Sequence, residues 1–335
     1  MRTIGHASQP GLMEQLEAGG EKGRRRILMI VNPYATTVSA RLKNLISAAL
    51  RSRYELDTIE TERKGHATEI CREAGGEGYD AIIAYGGDGT LNEAANGLVN
   101  SGTPLSCLPG GRANVYCRIL GIPTDVIDAT EQLLALDGAW HPYKVDMGRV
   151  GSRHFLFSAG VGLDADVVGH VDAHPLLKAR LGEYYYAWVA TSTFVSRYLF
   201  NPPRFRAEFQ SADTAASATV AQGVTALVQN ASPYTYFGDR RMEMAEHVTL
   251  TSGDLAGLIL KRASPLDIAS IGWRALSPRA RVAGHRQIDP FSATPQLRIR
   301  SLDDRQLPFQ VDGDYLGSAH ELTFSAAPSA LTVLA

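Results

Sequence analysis

Five apolar residues, Ala81-Ile82-Ile83-Ala84-Tyr85, run straight into Gly86-Gly87-Asp88-Gly89-Thr90. A short apolar run of this kind suits a strand buried on both faces of a parallel sheet. Leu91-Asn92-Glu93-Ala94-Ala95-Asn96-Gly97-Leu98 then reads as the start of a helix. In open α/β sheets, ligands bind in the crevice beyond the carboxyl ends of the strands. Glycines there let the main chain approach a ligand. The N–H groups of the loop and helix start can face an anion, a phosphate first of all. A plain structural turn stays open as the alternative. Asp88 narrows the choice, because a carboxylate beside a phosphate calls for a bridging cation, and Mg²⁺ is the usual one. Asp88 is therefore the candidate metal-holding residue.

The rest of the chain supplies the sheet that such a strand needs. Arg26 to Val31, Tyr54 to Thr61 and Pro104 to Pro109 read as further strands. Val38 to Arg51, His66 to Ala74, Ala113 to Leu120 and Asp125 to Leu136 read as the helices between them. Alternating strands and helices imply a parallel sheet covered on both faces, a three-layer α/β domain. Past Trp140 the texture becomes β-rich: Val145 to Val150, His154 to Ala159, Arg204 to Gln210, Thr219 to Gln229, Leu255 to Lys261, Gln296 to Ile299 and Gln306 to Val311. This suits a C-terminal β-sandwich-like domain. One helix, about Leu176 to Phe200, interrupts it, with Tyr184-Tyr185-Tyr186, Trp188, Phe194, Tyr198 and Phe200. Core packing, an acyl-chain lining and a membrane-facing surface all fit that aromatic content. The reading divides the chain into a poorly ordered tail over 1–23, an α/β nucleotide domain over 24–144 and a β-rich domain over 145–335.

A net charge of −2 over 335 residues argues against a nucleic-acid partner. Cys71, Cys107 and Cys117 have neither metal-ligand spacing nor an even count. They suit the cytosol. No apolar stretch is long enough to span a bilayer. Lys22 and Arg24-Arg25-Arg26 form a small basic cluster that suits either a solvated strand flank or contact with an anionic membrane.

In order along the chain stand Asn32-Pro33, Gly86-Gly87-Asp88-Gly89-Thr90-Leu91-Asn92-Glu93, Pro109-Gly110-Gly111, Leu120-Gly121-Ile122-Pro123 and Val311-Asp312-Gly313-Asp314. This series resembles the soluble bacterial diacylglycerol kinase-like lipid kinases, a family that includes sphingosine and ceramide kinases and is distantly related to NAD kinases. The resemblance implies an α/β nucleotide domain followed by a β-sandwich lipid domain, with the active site in the cleft. It implies an ATP site lined by Asn32, Pro33, Tyr34, Ala35, Thr36, Thr61, Gly86, Gly87, Asp88, Gly89, Thr90, Leu91 and Asn92, together with Gly110, Gly111, Arg112 and Asn114. By the same resemblance Asp314 stands where the family has a glutamate acting as acid/base, and Asp164 falls in a turn near the lipid headgroup. A solvated turn aspartate is the alternative for Asp164, and Asp312 reads as forming the turn that presents Asp314.

Two departures stand out. Arg112 occupies the place of a phosphate-contacting threonine, and Val115 that of a carboxylate in an Mg²⁺-linked network. Ser252-Gly253-Asp254-Leu255-Ala256 also matches the family's structural Mg²⁺ motif poorly. No Gly-x-x-x-x-Gly-Lys pattern is present, which excludes a P-loop. The expectation is an ATP- and Mg²⁺-dependent kinase of a lipid hydroxyl, diacylglycerol first, with Asp88 and Asp314 as its catalytic carboxylates. It would meet its lipid substrate in transient peripheral contact with the inner face of the membrane. NAD kinase and a non-catalytic lipid-binding protein are the competing readings, and a homodimer through a sheet edge stays open.

Overall fold

Four parallel strands, β1 (Arg26–Val31), β2 (Glu55–Glu60), β3 (Ala81–Gly86) and β4 (Leu105–Pro109), lie in the order β2-β1-β3-β4. Every residue of β3 and β4 is buried, as expected of strands covered on both faces. The computed structural model describes residues 24–136, 140–174, 177, 183–210, 219–246, 248–277 and 279–335. The tail read over 1–23, with Lys22, lies outside the described residues, as does part of the aromatic helix.

Helices α1 (Ala40–Arg51), α2 (His66–Ala74), α3 (Asp88–Gly97), α4 (Val115–Ile119) and α5 (Val126–Ala135) connect the strands. Contacts pair α1 with α5 and α2 with α3, one pair on each face of the sheet. Local chemistry sets their starts. The Ser39 hydroxyl accepts from Leu42 N–H, and the Asp125 carboxylate accepts from Ile127 and Asp128 N–H. One boundary departs from expectation in a way that matters. Helix α3 begins at Asp88, three residues before the expected start, so Asp88, Gly89 and Thr90 form its first turn and Gly87 alone is the cap.

The β-rich half opens with β5 (Tyr143–Val150), β6 (Arg153–Phe155) and β7 (Ser158–Gly162). Next come α6 (Leu163–Asp172) and α7 (Glu183–Thr193), the latter running into a π-helical turn, Phe194–Tyr198. Strands β8 (Phe205–Phe209), β9 (Thr219–Gly223) and β10 (Thr225–Gln229) lead to the hairpin β11 (Thr235–Phe237) and β12 (Arg240–Met242). β13 (Leu255–Leu260), α8 (Pro265–Leu276), β14 (Ile288–Thr294), β15 (Gln296–Ser301), β16 (Leu307–Val311), β17 (Asp314–Ala319) and β18 (Glu321–Val333) complete the chain.

Six of these strands form an antiparallel sheet in the order β14-β13-β10-β7-β16-β17. Others extend the N-terminal sheet as β4-β18-β15-β8-β9, with β5 on β18 and β6 on β5. The two sheets enclose a core that includes Phe155, Val161, Phe205, Ile259, Phe291 and Phe324. This is the expected sandwich. The halves are not separate sheets, however. β18 returns to the first half and pairs Val333 with Leu105, and the boundary read at 144/145 falls inside β5.

Two expected strands are broken. His154–Ala159 divides into β6 and β7 because the N–H groups of Leu156, Phe157 and Ser158 all turn to the carboxylate of Asp312. Thr219–Gln229 divides at Val224, whose N–H donates to Leu260 O as the chain passes from one sheet to the other. Helices α6 and α8 are additions to the single helix expected in this half.

Candidate active site

The carboxyl ends of β1, β3 and β4 converge on three turns. Gly110 N–H donates to Gly86 O at 2.8 Å, and Thr37 N–H donates to Gly110 O at 3.0 Å. The two glycine turns pack main chain on main chain: a Cβ on Gly110 would lie 2.8 Å from Gly86 Cα, and one on Gly111 2.9 Å from Gly87 Cα. Only glycine permits that approach. Asn32 ties the first turn to α3, its Nδ2 donating to Thr90 Oγ1 at 2.9 Å, while its Oδ1 accepts from Tyr34 N–H. Pro33, Tyr34 and Thr36 are exposed above the sheet edge, Ala35 half so. Thr61 follows β2, with its N–H on Val31 O at 2.8 Å.

Asp88 joins the two glycine turns. Its carboxylate accepts from Val115 N–H at 3.1 Å and Tyr116 N–H at 3.0 Å, so it caps α4. Burial pushes the Asp88 carboxyl above its ordinary value, and the Tyr116 and Val115 amides pull it down. Asn114, in left-handed backbone at φ 44°, accepts from Gly111 N–H and donates back to Gly111 O, both at 2.9 Å. Arg112 is exposed on that turn.

Several residues expected at the nucleotide also hold structural contacts. Leu91 is a core residue. Asn92 is buried, with its amide nitrogen on His154 O at 3.0 Å and Asp312 Oδ2 at 2.7 Å, so it fastens α3 to the β-rich half. Asn114 spends its amide on Gly111, and Val115 contributes a backbone N–H to Asp88.

The acidic turn between β16 and β17 comes to the same place. Asp312 accepts from Leu156 N–H at 2.6 Å, Phe157 and Ser158 N–H at 3.0 Å each, and Asn92 Nδ2 at 2.7 Å. Burial nevertheless pushes its carboxyl up to about 6, against the lowering effect of those donors. Asp312 at φ 46° and Gly313 at φ 84° bend the chain so that Asp314 projects over the first turn of α3. A Cβ on Gly89 would sit 3.9 Å from both Asp314 carboxylate oxygens. Asp314 is thus separated by 225 residues in sequence from Gly89 but adjacent to it in space.

Two cations that the sequence reading did not place in the site flank Asp314. Lys64 Nζ lies 3.3 Å from Oδ1, and Arg153 Nη2 lies 3.7 Å from Oδ2. Lys64 is held there because Gly65, at φ 86°, donates its N–H to Glu93 Oε1 of α3 at 2.8 Å. The Lys64-Gly65 pair after Thr61 was a usable signal; Arg153, on a three-residue strand, offered none.

Asp164 lies behind the turn. Gln310 Nε2 donates to Asp164 Oδ2 at 2.7 Å while Gln310 Oε1 accepts from Gly313 N–H at 2.8 Å. Tyr234 OH donates to the other Asp164 oxygen. Burial raises the Asp164 carboxyl, and the Tyr234 and Gln310 bonds oppose the rise. In this geometry Asp164 braces the turn that carries Asp314.

Residues 26–150 match the diacylglycerol kinase catalytic domain family. This segment is similar to a diacylglycerol kinase catalytic domain. It is 36% identical over 145 residues to the diacylglycerol kinase of Staphylococcus aureus strain RF122 / ET3-1, and equally so to that of strain MRSA252. Those matches span 42% of this chain and 44% of each relative's length. A solved structure of a diacylglycerol kinase from Bacillus anthracis strain Sterne superposes with a TM-score of 0.66 at 18% identity, covering 94% of this chain and 98% of the other. A second structure from that organism gives 0.68 at 22% identity over 93% and 97% of the two chains. The fold therefore extends across both halves, beyond the catalytic-domain match. The family match ends at the last residue of β5, so Asp314 comes from outside it.

Among the described residues no three His, Cys, Asp or Glu side chains group to hold a metal. Magnesium characteristically takes one or two carboxylates plus phosphate oxygens and water. The donors here fit it in that form: the Asp88 carboxylate accepts from Val115, Tyr116 and its own N–H, which leaves one of its four lone pairs open. Among the described residues no helix is long and apolar enough to cross a membrane.

Proposed function

We propose that the protein is a lipid kinase that moves the γ-phosphoryl group of ATP to a primary hydroxyl of a lipid, diacylglycerol first. The observation that carries this is Asp314, delivered from the β-rich half onto the first turn of α3 beside Gly89, with Lys64 and Arg153 flanking it. The first N–H groups of a helix have no partner within it and carry the positive end of its dipole. The nucleotide phosphates belong against that turn, with Asn32, Tyr34 and Thr36 along one wall and the Gly110–Arg112 turn along another. Bound ATP would supply the phosphoryl group, and Asp88 would hold Mg²⁺, which would supply charge neutralisation.

Asp314 Oδ accepts the proton of the attacking hydroxyl; a positioned general base contributes about 10²–10⁴-fold. Lys64 and Arg153 orient the Asp314 carboxylate and offset charge gathering on the transferred group. Asp312, Gln310 and Asp164 fix the turn, so alignment comes from buried groups. A groove of about 480 Å³ lies against β17, lined by Asp166, Arg197, Phe200, Arg305, Pro308 and Tyr315 among others.

The test incubates the protein with γ-labelled ATP, Mg²⁺ and dispersed diacylglycerol, with NAD in a parallel tube. Label in the organic phase that disappears with Asp314→Asn supports the proposal. Label on NAD alone, or on neither, overturns it.

A further inference from the structure

Helix α8 is apolar on the side that should be polar. Its inward residues, Ile271 and Ala275, pack with Leu258, Leu260 and Phe194 against the outer face of the six-stranded sheet. Its outward residues are Leu266, Ala269 and Trp273, on one face by their i, i+3, i+7 spacing. Leu266 is 82% exposed and Trp273 63% exposed. The only two charged side chains of α8 are turned away from that face. Asp267 is buried at the helix start, taking Ser264 Oγ and Arg286, and Arg274 donates to Arg281 O.

Charge gathers around it. Residues 261–289 hold six Lys and Arg (Lys261, Arg262, Arg274, Arg279, Arg281, Arg286) against two Asp, within a chain of net charge −2. Three of the six bridge acids: Lys261 with Asp289, Arg281 with Glu246 and Arg286 with Asp267. Arg262 and Arg279 are exposed. The π-helical turn after α7 packs on the same sheet face through Phe194 and Tyr198, and beside it Val195 and Phe200 are 48% and 84% exposed, with Trp188 of α7 65% exposed.

An uncharged helix face bearing Trp and Leu inside a basic rim is the chemistry of a helix lying in a membrane interface. We infer that α8 docks the protein on an anionic phospholipid bilayer, with Leu266 and Trp273 in the headgroup–acyl boundary and the flanking arginines on lipid phosphates. The partner is the bilayer surface, a different ligand from the lipid that is phosphorylated. The inference deepens the lipid-kinase reading and rests on it for its purpose, since docking on the bilayer brings the site to a bilayer-held substrate.

The test is co-sedimentation of the full chain with phosphatidylglycerol-rich vesicles and with pure phosphatidylcholine vesicles. The protein should pellet with the anionic vesicles and, in raised salt, release from them. Leu266→Glu with Trp273→Glu should weaken partitioning at least about tenfold, and the milder Leu266→Ser with Trp273→Ser should act in the same direction. Arg262→Glu with Arg279→Glu should weaken binding to the anionic vesicles selectively. Wild-type binding in the Leu266/Trp273 variants overturns the inference. So does loss of a dimer in the serine variant with vesicle binding unchanged, which would make the face a self-association site. A short-chain diacylglycerol dispersed without vesicles separates the two readings. Turnover unchanged in the variants while vesicle binding falls supports docking; vesicle binding that depends on α8 in a protein that phosphorylates no lipid sinks the kinase reading and leaves docking standing.

Discussion

Asp312 and Asp314 sit two residues apart on one turn and have opposite surroundings. Asp312 is sealed in, with four N–H donors from two parts of the chain. Asp314 is partly open, faces Gly89 across a gap, and has two cations at 3.3 and 3.7 Å. The first carboxylate builds the site and the second acts in it. A D-G-D motif in sequence does not say which is which; the environment does.

The contrast breaks most visibly by removing each charge in turn. Asp314→Asn should lower lipid phosphorylation by about 10²–10⁴-fold with an unchanged melting temperature, measured by initial rates and thermal unfolding. Asp312→Asn should do the reverse in kind. It turns an acceptor into a donor facing backbone N–H groups, and should lower unfolding free energy by roughly 3 kcal/mol in denaturant titration. If Asp312→Asn left stability intact and Asp314→Asn unfolded the chain, the assignments would have to be exchanged.

The glycines offer the same contrast. Gly110→Ala places a methyl 2.8 Å from Gly86 Cα and Val38 Cγ2, and should cost about 2 kcal/mol of stability. Gly89→Ala meets nothing closer than 3.9 Å and should preserve the melting temperature while depressing turnover, because its methyl enters the gap before Asp314. Equal destabilisation by the two would show that Gly89 lines packed protein and not a site.

Acidity gives a subtler handle. The Asp312 carboxyl, pushed up to about 6 by burial, lies above its unfolded value of about 4. The folded state therefore holds this proton more tightly. The contribution is complete below about pH 4 and is lost as pH rises through about 6. Wild type should gain stability over Asp312→Asn as pH falls across that window, read from paired unfolding curves. A difference independent of pH would contradict the buried carboxyl. The smallest effect belongs to Lys64→Ala, under about tenfold in rate and salt-sensitive, because the ammonium is 66% exposed and its pair is screened.

Most of the α/β half was legible in the sequence, because fully buried parallel strands announce themselves as apolar runs closed by glycine. Ala81–Gly86 and Arg26–Val31 appear where expected. The start of α3 was not: Asp88, Gly89 and Thr90 carry no helical periodicity, and their helicity comes from tertiary packing of the two glycine turns. The break between β6 and β7 was invisible, since its cause is a carboxylate about 155 residues away. Helix α8 did carry a readable start in Ser264-Pro265-Leu266-Asp267, with proline at the first position and a serine cap. The site motifs were found as segments. The internal bonds of the members were not legible: Asn92, Asn114 and Asp164 each hold structural hydrogen bonds in the fold, and Lys64 and Arg153 reach Asp314 through the way the halves meet.

The most direct trial of the account is a crystal structure with a non-hydrolysable ATP analogue and Mg²⁺. The terminal phosphate should lie against the N–H groups of the first α3 turn, beside Gly89 and facing the Asp314 carboxylate. A nucleotide bound with its terminal phosphate away from that turn, and Asp314 still paired only with Lys64 and Arg153, would contradict it.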